Sequence, residues 1–242
     1  MTAQDKFIWI NASPSFKQFH RRLLNYLAQG FELEFWEYHN NLDEASTIEG
    51  AIELLRAYLR DVDGSIHLIG HGVGGAIALG YTRLYPAQIG SLTLLSVGVQ
   101  SGITWHSYYY QYLHSLPCDR EQVLLSMARQ LFPHNCTSYI KCVAARLAQD
   151  LVESPSNHSL LRLTSFSVGV ISVPLLVCGA ADDPVIHPTV LQGWHNYLKT
   201  EDRLFTHPEG SHFFHHFFPE SVGQEILSFW GSFARSMSVI TF

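Results

Sequence analysis

Residues 65–86, SIHLIGHGVGGAIALGYTRLYP, constrain the fold more than any other stretch of the chain. Ile66, Leu68 and Ile69 form a short apolar run of the kind buried in a parallel sheet, and Ala76, Ile77, Leu79 and Leu84 then recur at helical spacing. Between them stand Gly70, Gly72, Gly74 and Gly75, four glycines within six residues. A backbone so poor in Cβ atoms can turn sharply and lets strand and helix approach closely. The stretch reads as strand, tight turn, helix.

The segments before it repeat the same alternation. Phe7, Ile8, Trp9 and Ile10 make an apolar strand closed by Asn11, Ala12, Ser13 and Pro14, and residues 15–29 carry Phe16, Phe19, Leu23, Leu24 and Leu27 on one helical face, with Gly30 as the stop. A second strand is expected over 31–38 and a second helix over 48–59. After the glycine-rich turn a fourth strand spans 89–97, so the order is βαβαβαβ, which calls for a parallel sheet covered by helices on both faces. Ligand sites in such sheets lie at the carboxyl ends of the strands.

From residue 98 to about 172 no run reads as a central strand. Helical spacing over 105–116, 119–132, 137–152 and 156–166, punctuated by Pro117, Pro133 and Pro155, indicates a helical insertion. The sheet pattern then resumes with strands at 173–179 and 203–206, and helices at 188–198 and 219–237. The expected fold class is α/β: a mostly parallel six-stranded sheet with helices on both faces and a helical lid. The expected division is a core of residues 1–98 and 173–242 and a lid of residues 99–172.

A chain of 242 residues, 47% hydrophobic and 15% charged, can bury one large core, and its net charge of −6 without a basic stretch argues against nucleic acid as partner. No run reaches the length of a membrane span, and the N-terminal apolar segment is too brief for a signal peptide, so no transmembrane segment and a cytoplasmic location are expected. Cys118, Cys136, Cys142 and Cys178 show no paired spacing and are expected as reduced thiols. Although there are 14 histidines, no HExxH occurs, and neither a metal nor another cofactor is expected.

The glycine-rich turn resembles the nucleophile elbow of the α/β-hydrolase family, in which a GxSxG turn joins strand to helix. The third position of that motif, the nucleophile's, is Gly72 here. The resemblance covers nearly all of the chain but not the antiparallel hairpin that usually opens the family's fold. It implies that the inserted helices form a lid over the pocket, and that an acid, a base and two backbone amides complete the site. His212, in the run PEGSHF, matches the family's histidine turn. The acid falls on Asp182 counting from Gly179 and on Asp183 counting back from Pro184, and the tie stays open. The oxyanion-hole amides map to Ser13 and Val73. Asn11, His71, Trp105, Tyr108, Tyr109 and Tyr112, with His114 nearby, are candidate pocket residues, although packing within the lid explains the aromatic ones as well.

Without a serine at the elbow, the acyl-enzyme route is the least favoured chemistry. The first expectation is a non-catalytic protein whose pocket and lid bind a small apolar molecule or present a surface to a protein partner. The alternative is an enzyme that uses His212 and an aspartate as an acid–base pair without a covalent intermediate, in lyase-like, oxygenase-like or water-activating chemistry.

Overall fold

Successive residues of the first strand, β1 (Lys6–Asn11), point to opposite faces of a sheet, and both faces are apolar. Phe7 and Trp9 enter one hydrophobic cluster while Ile8 and Ile10 enter another. A strand buried on both sides belongs in the interior of a sheet. In the computed structural model, which describes residues 5–39, 46–115, 117–155 and 168–234, that is where it lies. The other strands are β2 (Leu33–Glu37), β3 (Ile66–His71), β4 (Ile89–Leu95), β5 (Leu175–Ala180) and β6 (Arg203–His207). They form one sheet in the order β2-β1-β3-β4-β5-β6, with every neighbouring pair parallel.

The helices are α1 (Lys17–Leu27), α2 (Ile48–Leu59), α3 (Gly72–Leu84), α4 (Trp105–Ser115), α5 (Arg120–Leu131), α6 (Thr137–Glu153), α7 (Pro188–Gln192), α8 (Phe214–Phe217) and α9 (Pro219–Ala234). Leu23 and Leu27 of α1 and Val222, Ile226 and Trp230 of α9 join Phe7 and Trp9 on one face. Ala51, Ile52 and Leu55 of α2 and Ile77 of α3 join Ile8 and Ile10 on the other. Local signals set several ends: Thr47 accepts the Gly50 N–H at the start of α2, and Asp119 accepts that of Gln122 at the start of α5.

Helices α4–α6 are inserted between β4 and β5 as a lid, and the fourth lid helix expected over 156–166 lies outside the described residues. The helix expected over 188–198 is shorter than its sequence pattern. It stops at Gln192 and continues as a 3-10 turn (Gly193–Asn196), in which the buried Trp194 donates its indole N–H to the Val97 carbonyl, 2.9 Å away.

The strand order fixes where a site can form. From β1 the chain moves outward to β2 and then crosses back to β3 on the other side of β1, so the loops leaving β1 and β3 diverge. Their carboxyl ends border the crevice at the switch point, and Ser13 and Gly72 follow these two strands. Among the described residues no helix is long and apolar enough to cross a membrane. The four cysteines are unpaired, with Cys178 buried and the others exposed.

Candidate active site

Gly72 is the first residue of α3, immediately after β3, and its φ of 52° lies in the left-handed region that glycine adopts without strain. A Cβ built on it meets open space except for His212 Nε2, 3.6 Å away. The turn between β3 and α3 is therefore aimed at the histidine that the sequence singled out.

His212 follows β6 in a 3-10 turn (Ser211–Phe213) entered through two positive-φ residues, Gly210 at 116° and Ser211 at 56°. Both aspartates of the tied pair hold this turn, by different means. Asp183 stands 3.0 Å and 3.2 Å from His212 Nδ1 through its two oxygens, and also accepts the Val185 and Ile186 N–H groups. Asp182 accepts the backbone N–H groups of Gly210 and Ser211 at 3.2 Å and 2.8 Å. The side-chain partner of His212 is thus Asp183, while Asp182 secures the backbone beneath it.

Asp183 and His212 are each only 1% exposed. Burial pushes the Asp183 pKa up, but the adjacent His212 ring and the three hydrogen bonds to its carboxylate outweigh it and hold the pKa below the ordinary value. Nδ1 of His212 carries the proton shared with Asp183, so the bare lone pair of a neutral ring sits on Nε2. That nitrogen is buried and has no hydrogen-bond partner among the described residues. The His212 carbonyl accepts from His71 Nε2–H at 2.9 Å and from Ser96 Oγ at 3.0 Å, the latter on a residue at φ 49°. Ser96, to which the sequence assigns no role because it does not occupy the elbow, is brought in by the end of β4.

Of the two amides proposed from sequence, that of Val73 lies in the first turn of α3, where helix N–H groups have no intrahelical acceptor. Ser13 leaves β1 just before a 3-10 turn (Pro14–Phe16). The two segments are in direct contact, since a Cβ on Gly74 would fall 2.2 Å from the Ile10 carbonyl and 3.4 Å from the Ala12 nitrogen. Asn11 turns toward the sheet edge and donates to Glu37.

The lid closes on this region through a buried hub. Asp150 of α6, fully buried, accepts from Ser15 Oγ (3.0 Å), Ser13 Oγ (3.3 Å), Ser154 Oγ (2.6 Å) and the Trp105 indole N–H (2.8 Å), with His106 Nε2 at 3.3 Å. Trp105 is thereby tied into the lid-to-loop contact, and Tyr109 is buried beside it. Tyr108 donates to Gln130 Oε1 at 2.7 Å and lies 3.0 Å from the Tyr112 hydroxyl. Burial, Tyr112 and the charge of Asp183 all raise its pKa. His114 is at the far end of α4. Because Asp150 serves both lid and loop, Asp150→Asn, which removes an acceptor and sets an NH2 group against these donors, is expected to cost about 1–2 kcal/mol. A urea titration checks this, and an unchanged midpoint would mean that the hub carries no net stability.

Sequence reasoning did not bring together His20, His71 and His215. They come from α1, the end of β3 and α8, all are buried, and one nitrogen of each ring lies within 4.8 Å of the others. The one signal available was local: His20 lies among the buried Phe19, Leu23 and Leu27 on the inward face of α1.

A family profile described as Alpha/beta hydrolase family matches residues 13–225. An uncharacterized protein of Nostoc sp. is 40% identical over 223 residues, covering 92% of this chain and 89% of the relative. One from Synechocystis sp. is 35% identical over 234 residues, covering 96% and 92%. Among solved structures, a meta-cleavage product hydrolase (CumD) variant superposes with a TM-score of 0.73 at 10% identity, covering 96% of this chain and 93% of its own. The serine hydrolase CarC, involved in carbazole degradation, gives 0.68 at 15% identity, covering 95% and 92%. The type II thioesterase BorB, from the borrelidin biosynthetic cluster, gives 0.64 at 14%, covering 95% of both. At these identities the likeness is one of fold.

Proposed function

This chain belongs to the alpha/beta hydrolase family, and from that premise we propose that it is an enzyme whose Asp183–His212 pair performs acid–base chemistry without an enzyme-bound ester. Gly72 occupies the nucleophile position of the elbow, and glycine offers no hydroxyl for attack on a carbonyl. The observation that carries the reading is the His212 ring itself: Nδ1 is held 3.0 Å from a buried carboxylate, and Nε2 has no partner among the described residues and is directed at Gly72. Keeping an ionised carboxylate out of water is costly. A purely structural histidine needs neither that partner nor a free second nitrogen. This favours retained chemistry over a scaffold that only binds.

Nε2 acts as general base on a proton of the substrate, or on a water beside Gly72, where no side chain stands. Asp183 fixes the tautomer and stabilises the imidazolium that forms. The first-turn N–H of Val73 and that of Ser13 supply donors for oxyanion charge on the substrate. The solved structures of like fold whose names state action on thioesters and on a meta-cleavage product point to carbonyl compounds as the substrate class to try first.

The test is turnover of ester, thioester and vinylogous-diketone substrates before and after treatment with a fluorophosphonate. Activity is expected to survive the reagent and to fall by about 10²–10⁴-fold in His212→Ala, the contribution of a positioned general base. Stoichiometric labelling of the parent chain, or turnover indifferent to His212→Ala, would overturn the reading.

A further inference from the structure

Beside His212, whose ring centroid lies 4.8 Å from that of His71, is a group of imidazoles to which the acid–base chemistry assigns no proton transfer. His20 Nδ1 and His215 Nε2 are 3.0 Å apart and share one proton. The His71 ring lies 5.3 Å from that of His20 and 4.5 Å from that of His215, centroid to centroid. Its Nε2 must carry a proton, because it donates to the His212 carbonyl, so its Nδ1 is a bare lone pair. Trp9 and Phe213 pack around the three rings.

We propose that His20, His71 and His215 form a binding site for a single Zn²⁺-class cation, independent of the reaction at His212. Three features carry it. First, zinc bound to imidazole at about 2.0–2.1 Å in tetrahedral geometry sets two ligand nitrogens roughly 3.3 Å apart, and the His20–His215 pair already stands close to that separation. When the shared proton moves to the outer nitrogen of the ring that carries it, both facing lone pairs are free for one cation and both rings stay neutral. Second, His71 has the tautomer and outer contact of a metal ligand, with one nitrogen bare and the other N–H donated to a backbone carbonyl. Third, one nitrogen of each of the three buried rings lies within 4.8 Å of the others, a separation that small ring rotations close onto one ion.

The donor set selects the cation. Three imidazoles without carboxylate or thiolate suit zinc and its borderline neighbours, not the oxygen-seeking Mg²⁺ or Ca²⁺. Burial, with the neighbouring histidines, depresses the pKa of all three, that of His20 to about 3, so the ligands are neutral at physiological pH. The absence of an anionic ligand makes the bound charge costly, so binding is expected to be weaker than at thiolate sites. The ligands come from α1, the end of β3 and α8, so an ion would join three elements that the fold brings together separately.

The experiment is titration of chelator-stripped full-length protein with Zn²⁺ alone, read by bound metal after gel filtration and by melting temperature. One ion per chain with a rise in melting temperature is expected. His20→Phe and His215→Gln should each weaken binding by about 100-fold or more, beyond the loss typical of an outer-contact change, while His195→Gln, on the surface, leaves it unchanged. Should the cluster variants not fold, X-ray absorption of the zinc-loaded parent decides, with three imidazole nitrogens at about 2.0–2.1 Å as the expected shell. Binding well below one equivalent, binding retained in both folded cluster variants, or a shell with a single imidazole would overturn the proposal. None of these outcomes bears on the Asp183–His212 chemistry, which is read by turnover.

Discussion

A Gly72→Ser variant is expected to take up one fluorophosphonate per chain, where the parent chain takes up none. The Cβ of residue 72 falls 3.6 Å from His212 Nε2, so an Oγ rotated toward the ring comes within hydrogen-bond reach of the only unpartnered nitrogen of an Asp-held imidazole. Nucleophile, base and orienting acid would then stand in the relation of a serine triad. Losing the nucleophile of such a triad costs on the order of 10⁶ in turnover, and regaining it in an unevolved pocket is expected to restore about 10³ of that for a p-nitrophenyl ester. The gain carries a backbone cost. A side chain held at φ 52° is strained, by about 1–3 kcal/mol. No steric overlap adds to this, because a 3.6 Å contact is ordinary van der Waals packing, so the lower half of that range is expected. Labelling should vanish in the Gly72→Ser, His212→Ala double variant. A folded Gly72→Ser chain that fails to label would show that Nε2 does not address residue 72. Unchanged stability would show that the turn tolerates a Cβ without strain.

The strand–turn–helix unit was legible because its two hydrophobic periods switch within a few residues, and the sheet because β1 and β5 are apolar on both faces and β3 and β4 carry short Ile/Leu runs, interrupted by His67 in one and by Ser91 and Thr93 in the other. The tie between Asp182 and Asp183 was not, and the reason is physical. Both carboxylates serve the His212 turn, one through the ring and one through the Gly210 and Ser211 amides. Spacing along the chain does not distinguish a side-chain acceptor from a backbone one. Asp150 was equally invisible, since its partners Ser13, Ser15 and Trp105 are more than forty positions away and no local pattern marks a helix aspartate as buried. His20 and His215 met for the same reason: two inward helix faces converge on the end of β3, and only the packed fold brings them together.

The glycine-rich run shows how far a compositional signal reaches and where it stops. Four glycines suggest four flexible joints, yet only Gly72 takes a positive φ; Gly70, Gly74 and Gly75 are there because neighbouring backbone leaves no room for a Cβ. Gly74 is the tightest case. It lies inside α3, where alanine is worth up to about 1 kcal/mol more than glycine in helix propensity. Against this, a Cβ there would sit 2.2 Å from the Ile10 carbonyl oxygen, an overlap of backbone with backbone that no side-chain rotation relieves. Gly74→Ala must push α3 away from β1 and disturb the contact between the Gly72 turn and the loop that carries Ser13. The steric cost wins, and a net loss of about 3–5 kcal/mol is expected, in the exceptional range for one substitution. Gly231→Ala in α9 is the matched control: no described atom lies within 4 Å of its Cβ, so the propensity gain of about 0.5–1 kcal/mol should appear as added stability. Urea titrations of the two variants are expected to move in opposite directions from the parent midpoint. A Gly74→Ala chain as stable as the parent would mean that β1 and α3 do not approach as closely as the 2.2 Å separation requires, and the crevice between Ser13 and Gly72 would then be wider than the site described above.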